Sequence, residues 1–103
     1  MPFVDLRSGN VTGAEALVRW HHPEHGDIPA SEFIPIAERS GLIVPMGYWV
    51  LEHGLDHVAT WRPDLFASFN VSAVQIRQPD FVERVIEIVD RFDVAPRTIM
   101  FEL

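Results

Sequence analysis

The sequence contains no cysteine and no lysine, and it has no long hydrophobic run. The absence of cysteine excludes disulfides, thiolate metal ligands and cysteine nucleophiles. All eight basic residues are arginine, and fifteen acidic residues give a net charge of −7. We expect no binding to DNA or RNA, because a phosphate backbone requires clustered positive charge. No apolar run approaches the roughly 20 residues that span a bilayer, and the N-terminus has no signal-peptide pattern. We therefore expect a cytoplasmic chain without a membrane segment.

The composition is typical of a globular protein. The chain has 103 residues, of which 48% are hydrophobic and 22% charged, and this length suits one small domain or a piece of a larger one. Short strand-like runs alternate with longer helix-like runs, which predicts an α/β fold with a parallel sheet. The predicted order of elements is β-β-α-α-β-α-β.

The boundaries of these elements come from apolar periodicity and from turn residues. Ser31 is predicted to cap the first helix and Gly41 to end it. The second helix is predicted to begin near Pro45, because apolar residues recur three and four positions apart from there to Trp61. Strands are predicted at residues 2–6, 11–20, 66–72 and 98–103, a turn at 7–10, and a third helix at 80–92.

Three of the predicted strands carry polar residues within an otherwise apolar run. Because side chains alternate across a strand, the polar residues of each strand share a face. These faces carry Glu15, Leu17 and Arg19 on one strand, Ser68, Asn70 and Ser72 on the next, and Met100 and Glu102 on the last. A barrel has this arrangement, with helices outside and functional groups near the strand ends.

Two interpretations of these polar residues stay open on the residues alone. In the first, the carboxylates of Glu15 and Glu102 and the amide oxygen of Asn70 converge as hard ligands for Mg²⁺, Mn²⁺ or Ca²⁺. In the second, Glu15 pairs with Arg19, Asn70 satisfies backbone groups, and Glu102 faces water at a sheet edge. Periodicity alone favours the second interpretation.

A co-linear series of short motifs shifts the preference toward the first interpretation, the metal site. It consists of Glu-Ala-Leu-Val-Arg-Trp at 15–20, His-Pro-Glu-His-Gly at 22–26, Glu-Phe-Ile-Pro-Ile-Ala-Glu at 32–38, Gly-Leu-Ile at 41–43, Gly-Tyr-Trp-Val-Leu at 47–51, Phe-Asn-Val-Ser at 69–72, Gln at 75 and Phe-Glu-Leu at 101–103. With this set, the chain resembles the EAL domain family, the cyclic di-GMP phosphodiesterases. The resemblance covers essentially the whole sequence, and the complete set is far more specific than a lone Glu-Ala-Leu.

The resemblance implies a fold, a reaction and a set of site residues. The fold is the N-terminal portion of a (β/α)8 barrel of the EAL type, and the reaction is hydrolysis of cyclic di-GMP to linear pGpG with Mg²⁺ or Mn²⁺. Glu15, Asn70 and Glu102 fall on metal ligands of the family. Arg19 falls on an arginine that reaches a ligand phosphate, a task suited to planar bidentate donors, and Leu17 would line the ligand pocket.

Other parts of the family pattern have no counterpart in residues 1–103. The Asp-Asp-Phe-Gly motif, the lysine and a later glutamate of the family lie beyond the equivalent of Leu103. We therefore expect a partial EAL domain, truncated within its last strand, with no catalytic acid–base residue and no activity of its own. A catalytically dead nucleotide-binding or protein-interaction module, and a remnant or excerpt of a longer protein, are the alternatives.

The expected partners are cyclic di-GMP and either a second copy of the chain or the remainder of an EAL barrel. An open sheet with helices on one face leaves its other face and its last strand uncovered. The histidines at 21, 22 and 25 form one loop cluster, and His53 and His57 lie four apart on a predicted helix. Both groups are predicted to be solvated rather than to bind a metal.

Overall fold

A computed structural model of the chain describes residues 2–10, 13–61, 66–92 and 99–102. The elements are β1 (Pro2–Asn10), β2 (Gly13–His22), β3 (Gly26–Ile28), α1 (Ala30–Ser40), α2 (Ile43–Trp61), β4 (Phe66–Asn70), α3 (Ala73–Ile76), α4 (Phe81–Asp90) and β5 (Ile99–Glu102).

The strands form one sheet in the order β1-β2-β4-β5, with β3 paired to the end of β2. β1 and β3 run antiparallel to β2, whereas β2, β4 and β5 are parallel to one another. Glu15 lies opposite Ser68, and Ser68 lies opposite Met100. Because directly opposed residues of parallel strands point to the same side, the polar residues of all three strands share one face of the sheet.

The core lies between the other face of the sheet and the helices. Its buried side chains come from β2 and β4, from α2 and from α4, and they are Ala16, Ala67, Phe69, Leu51, Leu55, Ile88 and Val89. Gly54 allows α2 to approach the sheet closely, since a Cβ at this position would lie 2.6 Å from Phe69 Cε1. The helix α1 joins the same side through Phe33, whose ring centroid lies 5.7 Å from that of Trp20.

One arginine of α4 and the arginine that caps its C-terminus contact α2. The Arg84 guanidinium lies 5.0 Å from the centroid of the Tyr48 ring, and Arg91 Nη2 donates to Glu52 Oε1 at 2.6 Å. Burial, with a smaller contribution from Asp80, raises the pKa of Tyr48. The two contacts hold α4 against α2 near both ends of the shorter helix.

The predicted α/β fold and the order of its long elements are confirmed, and the structure adds the two short elements β3 and α3. The predicted turn at residues 7–10 is wrong. β1 continues to Asn10 because a register irregularity after Arg7 takes up the extra residues without ending the pairing with β2.

Several predicted boundaries also shift. Pro29, not Ser31, occupies the N-cap of α1, with an extended backbone at φ −62° and ψ 144°. α2 begins at Ile43, before Pro45, since proline is tolerated in the first turn of a helix. β4 ends at Asn70 because Ser72 caps α3 instead of continuing the strand. Gly41 ends α1 at φ 81°, as predicted. Residues 11–12, 98 and 103 of the predicted strands lie outside the described residues.

The polar face of the sheet is partly exposed to solvent in the described part of the chain. Asn70 and Glu102 are exposed, and Met100 keeps 43% of its surface accessible.

Among the described residues, no helix combines the length and hydrophobicity that a bilayer span requires.

We expect Leu55 to be a main determinant of stability. Leu55 is 0% exposed, so Leu55→Ala should lower the free energy of unfolding by about 2–5 kcal/mol through lost burial and a residual cavity. Leu42, which is 62% exposed, offers a matched control. Leu42→Ala should change the free energy of unfolding by less than about 0.5 kcal/mol. Urea unfolding followed by tryptophan fluorescence measures both. Equal effects of the two substitutions would contradict this description of the core.

We also expect the chain to be marginally stable and to self-associate. Within the described residues β5 pairs on one side only, with β4, and Met100 and Phe101 are 43% and 40% exposed. Unpaired strand edges with exposed apolar side chains are templates for pairing with another chain. Sedimentation velocity over a dilution series should show concentration-dependent oligomers, which Met100→Glu should reduce. A monomer that melts cooperatively above about 60 °C, near the top of the mesophile range, would contradict the expectation.

Candidate metal and ligand site

The candidate site lies on the polar face of the sheet, at the carboxyl ends of β4 and β5 and beside Glu15, the third residue of β2. Period-2 alternation buries Ala67 and Phe69 and leaves Ser68 and Asn70 on the opposite face. The same alternation on β2 buries Ala16 and directs Glu15 and Leu17 to the polar side. The predicted alternation is therefore confirmed for these residues of β2 and β4, whereas Ser72 lies beyond β4 and Phe101 of β5 is 40% exposed rather than packed against a helix.

Glu15 and Asn70 are in direct contact. Asn70 Nδ2 donates a hydrogen bond to Glu15 Oε1 over 3.1 Å. The contact is diagonal, because Glu15 lies opposite Ser68 and Asn70 follows two residues later on the same face. With the amide nitrogen committed to the carboxylate, Oδ1 is the atom of Asn70 suited to bind a cation.

Glu102 lies beside Asn70 on the next strand. The two residues are directly opposite in the parallel register of β4 and β5. The pairing extends one residue further through the backbone, where Val71 N donates to the Glu102 carbonyl oxygen over 2.7 Å. The structure thus places the three predicted ligands on neighbouring strands and on one face.

The donor set fits a hard divalent cation. Two carboxylates and one amide oxygen are the ligands that Mg²⁺, Mn²⁺ and Ca²⁺ accept, and the Glu15–Asn70 contact shows that two of the side chains already converge. Among the described residues, no group of three or more acidic, histidine or cysteine side chains is close enough to form a metal site without the amide. Asn70 is therefore the member on which this candidate site depends.

A cavity of about 560 Å³ has Asn70, one of the three candidate ligands, in its lining. Leu17 and Arg19 line it together with Asn70, and its opposite wall comes from α1 and α2. Leu17 and Arg19 are both half-buried. The cavity is large enough for part of a nucleotide and combines apolar walls with an arginine, a mixture typical of small-molecule sites.

Three further side chains at this cavity, those of Ser72, Gln75 and Glu38, are not among the site residues predicted from the sequence. Ser72 Oγ donates to Glu38 Oε2 over 2.6 Å and accepts from the backbone nitrogen of Val74 over 3.1 Å. Gln75 Oε1 accepts from Ser72 N over 2.9 Å, which completes a capping box at the start of α3. The Ser-x-x-Gln spacing is the sequence signal for this box. The contact with Glu38 has no local signal, because Glu38 belongs to α1.

The histidines make local contacts. His22 Nδ1 accepts from the backbone nitrogens of Glu24 and His25 over 3.1 and 3.3 Å, so its ring stabilises the turn between β2 and β3. His53 Nδ1 lies 2.8 Å from the Trp49 carbonyl oxygen, and the two rings stack with centroids 4.1 Å apart. These contacts give His22 and His53 a structural role.

Comparison with known proteins decides the family. The family profile of the EAL domain matches residues 1–103. The chain belongs to the EAL domain family. Its α/β sheet accordingly corresponds to part of a barrel of the EAL type.

Relatives of this EAL chain include proteins named as phosphodiesterases. A cyclic di-GMP phosphodiesterase of Pseudomonas aeruginosa is 36% identical over 96 residues, which cover 90% of this chain and 16% of that protein. The solved complex of the PaMucR phosphodiesterase with c-di-GMP superposes with a TM-score of 0.91 at 31% identity, covering 99% of this chain and 45% of that one. An EAL enzyme in its cGMP-bound form gives a TM-score of 0.89 at 25% identity, covering 97% and 32%. The chain therefore spans less than half the length of these relatives.

We expect the three candidate ligands to bind Mg²⁺ weakly. Two carboxylates and an amide leave much of the coordination shell to water, so calorimetry should find no site tighter than about the millimolar range of incomplete oxygen cages. Micromolar binding that Asn70→Ala abolishes would mean that another group completes the site. Ser68→Ala, on the same face of β4, serves as the control for substitution itself.

Proposed function

We propose that the chain forms the metal-binding and phosphate-binding wall of a cyclic di-GMP phosphodiesterase, and that hydrolysis requires the remainder of an EAL barrel. The observation that carries the proposal is the contact between Asn70 and Glu15, two residues 55 positions apart that fall on family ligands. Membership of the EAL family and the similarity to the PaMucR complex support cyclic di-GMP as the substrate.

In this proposal Glu15, Asn70 and Glu102 hold Mg²⁺ or Mn²⁺. When bound, such a cation would supply Lewis-acid chemistry toward water and a phosphoryl oxygen. Asn70 fixes the Glu15 carboxylate through its amide nitrogen, so the carboxylate loses less rotamer freedom when a cation binds. Glu102 supplies the second negative charge from the adjacent strand.

Arg19 and Leu17 would hold the nucleotide beside the cation. Both side chains line the same cavity as Asn70. A guanidinium presents paired donors to two oxygens of a phosphate group, and the Leu17 side chain offers an apolar surface beside it. In an acidic chain with a net charge of −7, an anionic ligand needs such a local cation.

A second candidate function is nucleotide binding without hydrolysis. The observation behind it is that Leu17 and Arg19 line one cavity together with Asn70, an arrangement that can hold a nucleotide without any acid–base residue. The Leu17 and Arg19 wall would then bind the ligand, or a protein partner, while no reaction follows.

We expect purified residues 1–103 to release no detectable pGpG from cyclic di-GMP with Mg²⁺ or Mn²⁺, because this stretch contains neither a lysine nor an Asp-Asp-Phe-Gly motif. A chimera in which this chain replaces the matching portion of PaMucR should hydrolyse cyclic di-GMP. In that chimera Glu15→Gln should lower kcat at least about a hundredfold, the scale seen when a group that stabilises the transition state is removed. Chromatographic separation of pGpG measures each rate.

Glu32→Gln is the matched control, because Glu32 is an exposed acidic residue of α1, and it should leave the rate of the chimera unchanged. A folded chimera that binds cyclic di-GMP without hydrolysing it would favour the second function. Hydrolysis by the unassisted chain, in proportion to its amount and lost in Glu15→Ala, would show that the chain holds a complete site.

A further inference from the structure

The segment that follows Asn70 contacts three other elements, through Val71, Ser72 and Gln75. Val71 N donates to the Glu102 carbonyl oxygen of β5 over 2.7 Å. Ser72 Oγ donates to Glu38 Oε2 of α1 over 2.6 Å. Gln75 packs against α2 at Gly47, where a Cβ would overlap with Gln75 Nε2. The segment after Asn70 is therefore held from three directions.

The contact with Glu38 is the strongest of these side-chain attachments. An O–H donor at 2.6 Å from a carboxylate oxygen has the length of a charge-assisted hydrogen bond, which is roughly twice as strong as a neutral one. Both side chains are half-buried, so water competes with the bond less than at an exposed site. Glu38 lies 34 residues from Ser72 in sequence, and the bond therefore links α1 to the end of β4.

Glu38 is separate from the candidate metal ligands. It lines the same cavity as Asn70, but no group of three acidic or histidine side chains within ligand distance includes it among the described residues. Its carboxylate already accepts a hydrogen bond from Ser72, and the Ser72 oxygen in turn accepts from Val74 N. The chain of contacts runs from α1 through Ser72 to the backbone next to Asn70.

We propose that Glu38 is a positioning residue, which orients the Asn70 amide toward Glu15 by fixing Ser72 and the end of β4. This role rests on the proposed function, because the orientation of the Asn70 amide matters for activity only when Asn70 binds a cation. Outer partners of metal ligands typically contribute 10- to 100-fold to metal affinity, although they never touch the metal. The structure connects Glu38 to Asn70 through Ser72, which lies two residues after Asn70 in the chain.

The proposal can be tested on the full 103-residue chain by NMR with Mn²⁺ as the probe. The side-chain amide resonances of Asn70, assigned by their loss in Asn70→Ala, report the hydrogen bond to Glu15 without any metal. In Glu38→Ala they should shift toward the values of a solvated amide. The Mn²⁺ concentration that broadens them by half should rise about tenfold, as for other outer partners of metal ligands.

Two variants separate positioning from a general loss of structure. Glu38→Gln keeps an oxygen that accepts from Ser72, so it should restore most of the Asn70 shift and of the Mn²⁺ response, and it also serves if Glu38→Ala does not fold. Glu32→Ala removes an exposed carboxylate from the same helix and should change neither readout. Adding Glu38→Ala to a Ser72→Ala variant should change the Asn70 resonances little further, because both substitutions remove the same hydrogen bond, that between Ser72 and Glu38.

The outcomes distinguish this proposal from the proposed function. Unchanged Asn70 resonances in Glu38→Ala overturn the positioning role, and so does an effect of Glu32→Ala as large as that of Glu38→Ala. If the Asn70 resonances shift as expected but Glu15→Gln leaves the Mn²⁺ response intact, the positioning role is supported and the metal site of the proposed function is overturned.

Discussion

The register of the parallel strands β2, β4 and β5 is the constraint on which the rest of the structure depends. In this register Ala16 lies opposite Phe69, and both side chains are buried beneath α2. A slip of one residue would turn Glu15 into the core, at the cost of an unpaired buried charge. The packing of the helices therefore also decides that Glu15, Asn70 and Glu102 share the exposed face.

Two kinds of interaction contribute to the site in different ways. Apolar burial holds the strands at their correct heights, since Leu55 and Ile88 fill the space between sheet and helices. Polar contacts then set the orientation of individual side chains, as between Asn70 and Glu15. Burial is non-directional and hydrogen bonds are directional, so a site for a metal requires both.

The sequence predicts those features that depend on local patterns. Alternation along β2 and β4 assigns Glu15 and Asn70 to the polar face, and Gly41 marks the end of α1 through the left-handed conformation it adopts. The contact of Ser72 with Glu38 joins residues 34 positions apart, and no periodicity carries that information. The short strand β3 was missed for a similar reason, because three residues are too few to show alternation. The roles of Glu15, Asn70 and Glu102 as ligands remain predictions from family resemblance.

The packing of Gln75 against Gly47 has a consequence for how this sequence can diverge. Gln75 is 6% exposed and its amide occupies the space that any side chain at position 47 would need. A larger residue at 47 would push α3 away from α2, unless a smaller residue replaced Gln75 at the same time. The two positions should therefore co-vary among descendants of this chain, even though Gly47 belongs to α2 and Gln75 to a helix of four residues.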